Sequence, residues 1–168
     1  PNGRPETAGR YHIHYHAATS DNMRVVGWAM PSTRDLVQLL RWQVEAGADE
    51  AIMLNRNGFV AEATVANLFI VVDGKLLTPP VLDGALDGIT RQVVMELAGN
   101  EGIDCREQSL AVYDLHNADE CFLTGTGAEL IPVAQIQGLC VGSGERPVYD
   151  RLQQAFRALV RTEVALGA

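Results

Sequence analysis

Between Ala51 and Thr78 the chain alternates short apolar runs with two dipeptides, Asn57-Gly58 and Asp73-Gly74, that favour tight hairpin turns. Strands are predicted over residues 51–54, 59–64, 67–72 and 75–78. Two hairpins in fewer than thirty residues leave no room for a helix. The block must therefore belong to a sheet, and a sheet this apolar needs covering elements.

Three amphipathic stretches can supply the cover. Ser32 with Asp35 forms a capping box that opens a helix reaching about Ala46, with Leu36, Leu39, Leu40 and Val44 as its buried stripe and Gly47 just beyond its end. A second helix follows Gly88, with Ile89, Val93, Val94 and Leu97 inward, Arg91, Gln92 and Glu96 outward, Thr90 as N-cap and Gly99-Asn100 as the stop. Pro147 opens a third, with a stripe of Val148, Leu152, Phe156, Leu159 and Val160. An apolar segment at 25–30, ended by Pro31, precedes these elements. Further strands are expected at 103–107, 120–123, 131–136 and 139–141, with a turn or short helix at 112–117. The sum is an α+β (mixed α/β) domain with hairpins and flanking helices, not a regular βαβ array.

At 168 residues and 47% hydrophobic composition, one core and one domain are expected. The formal charge of −8, with no run of Lys or Arg, speaks against a nucleic-acid surface. Cys105, Cys121 and Cys140 are odd in number and widely spaced, the pattern of reduced thiols in a cytoplasmic protein. No apolar run is long enough to cross a bilayer, and no signal-peptide pattern opens the sequence, so no membrane partner is expected. Lys75 is the single lysine, just past a hairpin turn, where lysine is ordinarily a solvated surface residue.

Residues 1–24 form a separate lead-in. Within it His12, His14 and His16 alternate with Tyr11, Ile13 and Tyr15, so a strand would carry all three on one face, roughly 6–7 Å apart. Such a row either binds a metal or forms a solvated or interface face. No Asp or Glu within the run supports the metal.

Three segments place small or polar groups at strand or helix ends: Glu62-Ala63-Thr64 with Asn67, Gly88-Ile89-Thr90, and Thr124-Gly125-Thr126-Gly127. A glycine-rich loop entering a helix aims free N–H groups and a positive dipole end at one spot, which suits a phosphate, although an ordinary strand-to-helix turn looks the same. Glu62 ends an otherwise apolar strand and needs a partner, either a protonated ring nitrogen or a local arginine.

In order, GADEAIMLNRNGFVAEATVANLFIVVDGKLLTPP, LDGALDGITRQVVMELA and ADECFLTGTGAELIPVAQI resemble the large domain of the class IV aminotransferases. These are pyridoxal 5'-phosphate (PLP) enzymes of fold type IV that include branched-chain and D-amino-acid transaminases and 4-amino-4-deoxychorismate lyase. The resemblance implies a mixed, barrel-like β-core over residues 25–168 and a homodimer. The implied reaction is amino-group transfer between an amino acid and a 2-oxo acid, or the related lyase reaction. It also implies that Glu62 pairs with the PLP ring nitrogen, that Leu86 packs on the ring, and that Ile89 and Thr90 hold the phosphate. Thr126 and Gly127 would line the phosphate and the substrate carboxylate.

Two departures carry consequences. The family lysine that attaches PLP and shuttles the α-proton falls, to within a residue or so, at Ala29, and the tyrosine shortly after it falls near Arg34. The family's small N-terminal domain, which contributes an arginine to the phosphate, has no counterpart in this sequence. The missing domain implies either a fragment or partner of something larger or a shortened relative, and alanine in place of the lysine implies that the chain is inactive or severely impaired as a transaminase. The alternative is a PLP-free relative that reuses the fold as a binding module, or with a metal at His12, His14 and His16.

Overall fold

The computed structural model describes residues 23–29, 48–125 and 129–166. The helix expected from Ser32 and the His12, His14, His16 row lie outside the described residues, as do Thr126 and Gly127.

Among the described residues, nine strands build one mixed sheet. They are β1 (Met23–Ala29), β2 (Glu50–Leu54), β3 (Val60–Ala63), β4 (Asn67–Val72), β5 (Lys75–Thr78), β6 (Cys105–Glu107), β7 (Glu120–Gly125), β8 (Glu129–Ile136) and β9 (Leu139–Cys140). The order is β3-β2-β1-β8-β7-β4-β5-β6, with β9 paired to the end of β8. This path has two ends, so the barrel-like core is an open sheet and not a closed barrel. β1 runs parallel to both its neighbours, β2 and β8, whereas the hairpins β2–β3, β4–β5 and β7–β8 are antiparallel. At the β4–β5 turn Asp73 and Gly74 both have positive φ, 50° and 72°, the two-residue turn whose twist matches the flanking strands.

Both faces of the central strands are buried. Along β4, Leu68 and Ile70 join one cluster with Ile52, Val60, Leu123 and Ile136, while Phe69 and Val71 join a second with Phe122, Leu76 and Leu130. That is why β4 reads as a continuous apolar run and not as an alternating one. The second cluster is covered by helices α1 (Ile89–Asn100) and α3 (Pro147–Leu166) through Val94, Ala98, Tyr149 and Leu152. Phe69 and Phe122 stack at 5.2 Å between ring centroids, and Tyr149 tilts against Phe122 at 5.6 Å. Leu115 of the short helix α2 (Val112–His116) packs into the first cluster.

The helices differ from the sequence reading in four respects. Gly88, not Thr90, is the N-cap of α1, and no side chain caps it. The helix also runs through Gly99-Asn100 to a cap at Glu101. The expected inward face is displaced: Ile89 is 76% exposed, while Arg91, expected outward, is buried. Arg91 is held there by the Pro79 carbonyl at 3.1 Å, by Glu107 and by Asp87, acceptors brought in from other elements. In α3 the stripe is buried at Leu152 but exposed at Leu159 and Val160.

Candidate functional site

Three chain segments converge on one cleft of about 180 Å³: the β3–β4 turn with Glu62, Thr64 and Asn67, the start of α1 with Gly88, Ile89 and Thr90, and the end of β7 with Thr124 and Gly125. The turn is tight. The Ala63 N–H donates to the Ala66 carbonyl at 2.8 Å, and the Thr64 N–H reaches back to the Ala51 carbonyl at 3.1 Å. Beneath it lies Glu50, a buried carboxylate that accepts the Thr64 hydroxyl and the Ala51 N–H (2.8 Å). Burial raises the Glu50 carboxyl above its ordinary value, against the lowering effect of these donors.

Glu62 is half-buried at one end of the cleft. Its Oε2 accepts two protein donors, the Leu86 N–H at 2.9 Å and the Asn67 amide at 3.2 Å. Its Oε1 has no hydrogen-bond partner among the described residues. Desolvation raises the Glu62 carboxyl, partly offset by the Leu86 N–H. The arginine ion pair weighed as an alternative is not formed among the described residues, whose salt bridges all lie elsewhere.

The loop between β5 and α1 makes a 3-10 turn over Val81–Asp83, leaves it through Gly84 in the left-handed region, and is pinned to the β2–β3 hairpin by Asn55 donating to the Asp83 carbonyl at 3.1 Å. Leu86 takes part through its backbone, its carbonyl accepting from Asn67 at 2.8 Å, while its side chain is 68% exposed at the rim. Gly88 then passes under Asn67 so closely that a Cβ there would lie 2.2 Å from the Asn67 amide oxygen. Ile89 and Thr90, which line the cleft, open α1 with no side chain capping it, so the cleft adjoins uncapped first-turn N–H groups and the positive end of the helix dipole. Thr124 adds a buried hydroxyl without a partner among the described residues.

The cleft thus pairs an anion-binding end with a carboxylate end. A ligand with a phosphate and a protonated nitrogen would satisfy both. The structure brings Glu62, Leu86, Ile89 and Thr90 together there. Ala29 is the last residue of β1, at the register position opposite Met53, which is itself opposite Glu62. Two strand spacings, about 10 Å, therefore separate the Ala29 and Glu62 backbones. Lys75 is far from this row, exposed at the opposite end of β4 from Asn67, about 17 Å along the strand. Asn67 was visible in the sequence as a polar residue near Glu62, but nothing local indicates that it bonds Leu86 nineteen residues later.

Residues 30–136, more than half of the chain, match the family model of class IV amino-transferases. The branched-chain-amino-acid aminotransferase of Salmonella typhimurium is 47% identical over 118 residues, 70% of this chain and 38% of that protein. Among solved structures, the Escherichia coli branched-chain amino acid aminotransferase superposes with a TM-score of 0.75 at 37% identity, covering 83% of this chain and 52% of that one. The PLP form of the Thermobaculum terrenum branched-chain enzyme gives 0.77 at 29% identity, covering 83% and 51%. The chain therefore spans about half the length of the solved chains and less of the curated relative. Over the part it spans, this chain belongs to the class IV aminotransferases.

Proposed function

We propose that this chain is the cofactor-holding large domain of a PLP-dependent amino-group transferase of the branched-chain type, acting on an amino acid and a 2-oxo acid as a homodimer in the cytoplasm. We propose further that alanine at position 29 leaves it inactive or severely impaired in that reaction. The observation that carries the reading is the cleft, with an uncapped helix N-terminus at one end and a half-buried carboxylate at the other.

The residues present fit PLP. Gly88 keeps the helix entrance clear, the Thr124 hydroxyl is a buried donor in need of an acceptor, and Glu62 keeps one oxygen free. When bound, PLP supplies a conjugated pyridinium that draws electrons from the substrate's α-carbon. Glu62 would hold the proton on the ring nitrogen through Oε1, while the Ile89 and Thr90 N–H groups and the Thr90 hydroxyl bind the phosphate. Thr126 and Gly127, which follow Thr124-Gly125 directly in sequence, would complete the phosphate and carboxylate side.

What the cleft lacks is an amine. The one lysine of the sequence is exposed on the β4–β5 hairpin and cannot reach it. Among the described residues no lysine is then placed to attach the cofactor or to move the α-proton, and a positioned base is worth about 10²–10⁴ in rate.

NMR titration with PLP tests the binding claim. The Ile89 and Thr90 amides are expected to shift at sub-millimolar to millimolar ligand, and unchanged amides at that concentration would overturn the reading.

A further inference from the structure

Asn67 opens β4 at the mouth of the cleft, and its side chain is buried. Both hydrogens of its amide are committed, one to Glu62 Oε2 at 3.2 Å and one to the Leu86 carbonyl at 2.8 Å. Leu86 closes the ring, since its own N–H donates to the same Glu62 oxygen at 2.9 Å. A carbonyl accepts only, and so does an ionised carboxylate, so the orientation of the Asn67 amide follows from its partners. The opposite side of that amide, Oδ1, rests against Gly88, the residue that admits the chain into α1.

This arrangement accepts little else at position 67. Aspartate would set two acceptors against a carboxylate and a carbonyl, serine and alanine are too short to span both, and glutamine places its amide one methylene too far. One amide therefore fixes both ends of the cleft. It holds Glu62 by one oxygen so that the other stays free, and it holds the loop from which the first-turn N–H groups of α1 project.

We propose that Asn67 is a positioning residue for the cofactor: it orients the Glu62 carboxylate toward the ring nitrogen and ties that carboxylate to the phosphate-binding turn. The inference rests on the cofactor reading above, and its test separates the two.

The probe is pyridoxamine 5'-phosphate labelled with 15N in the ring, which needs no lysine to bind. Affinity and the pH titration of the bound ring nitrogen are measured for the full chain, Asn67→Ala, Glu62→Gln and the double variant. Asn67→Ala is expected to weaken binding about tenfold, the worth of a hydrogen bond to a charged group, and to move deprotonation of the ring nitrogen to lower pH. In the Glu62→Gln background the Asn67→Ala effect on the ring nitrogen is expected to vanish, because the two residues act in series. A ring-nitrogen titration unmoved by Asn67→Ala, or moved equally in both backgrounds, would overturn the proposal and leave Asn67 a packing residue. Should Asn67→Ala fail to fold, Asn67→Ser is read by the same criteria. Absence of binding by the unsubstituted chain at millimolar probe would overturn the cofactor reading, and this inference with it, before any variant is compared.

Discussion

Ala29 and Glu62 end up in one row across the sheet, two strands apart, with Met53 between them as the register partner of both. The two ends of the row are more than thirty positions apart in sequence, and the strand spacing sets their backbones about 10 Å apart. An amine added at position 29 has a cofactor-sized gap to bridge.

Ala29→Lys is therefore expected to create a covalent PLP site. A lysine would have a lowered pKa and be nucleophilic near neutral pH if it is buried there. After borohydride reduction with PLP and mass analysis, the variant should carry the label at position 29 and the parent chain should not. Labelling of both chains at Lys75 alone would count against the assignment of Ala29.

Two glycines of α1 should respond to alanine with opposite signs. At Gly88 a methyl would collide with the Asn67 amide oxygen, so Gly88→Ala is expected to cost about 1–3 kcal/mol of stability and to weaken phosphate and PLP binding. At Gly99, inside the helix with open space around it, Gly99→Ala is expected to stabilise by about 0.5–1 kcal/mol. Urea unfolding of the two variants gives both signs in one experiment.

Glu120 docks α3 by accepting the Val148 and Tyr149 N–H groups at 2.9 and 2.7 Å, and burial raises its carboxyl above the ordinary 4.5 despite those bonds. Glu50 and Glu62 are raised by burial as well. A carboxyl raised in the folded state holds its proton more tightly there than in the unfolded chain. Stability from these groups is thus full below about pH 4.5 and is lost as pH rises through the folded values. Denaturant midpoints should fall over that window, and Glu120→Gln should flatten the slope. Glu120→Ala, which strands two helix donors, should cost about 1–3 kcal/mol.

Two apolar residues that line the cleft, Leu86 and Ile89, are 68% and 76% exposed, and Leu82 in the same β5–α1 loop is 98% exposed. A homodimer that covers part of this surface is expected, and sedimentation equilibrium at tens of micromolar should give twice the 18.2 kDa chain mass. A clean monomer would contradict it.

The features legible in the sequence were those settled by neighbours in the chain. Strands β4 and β5 fall where the Asp73-Gly74 turn puts them, because a two-residue turn sets the register of both arms. The burial of Arg91 was not legible, since helical periodicity records polarity and cannot see acceptors arriving from Pro79 and Glu107. The roles of Glu50, just outside the strand expected at 51–54, and of Glu120, inside the one expected at 120–123, are not legible either, because their donors, Thr64 and the start of α3, lie 14 and 28 or more positions away. Nor is the residue of β1 that stands opposite Met53 legible in the sequence. The pairing of β1 with β2 slips between Val26 and Trp28, so a bulge at Gly27 decides which residue stands opposite Met53. Counting by twos along a strand cannot register such a bulge.

The position of β1 has a kinetic consequence. Its two neighbours are β2 and β8, and Met23 pairs with Val133, 110 positions later in the chain. Among the described residues, strands β2 and β3 join the rest of the sheet through it. Of the described strands, the first in the chain must therefore wait for nearly the last before the sheet is continuous. Closure over so long a loop is slow, and the open edges of β2 and β8 stay available to other chains meanwhile. Folding yield should consequently depend on chain concentration, and segments that lack β1 should aggregate before they assemble the row containing Glu62.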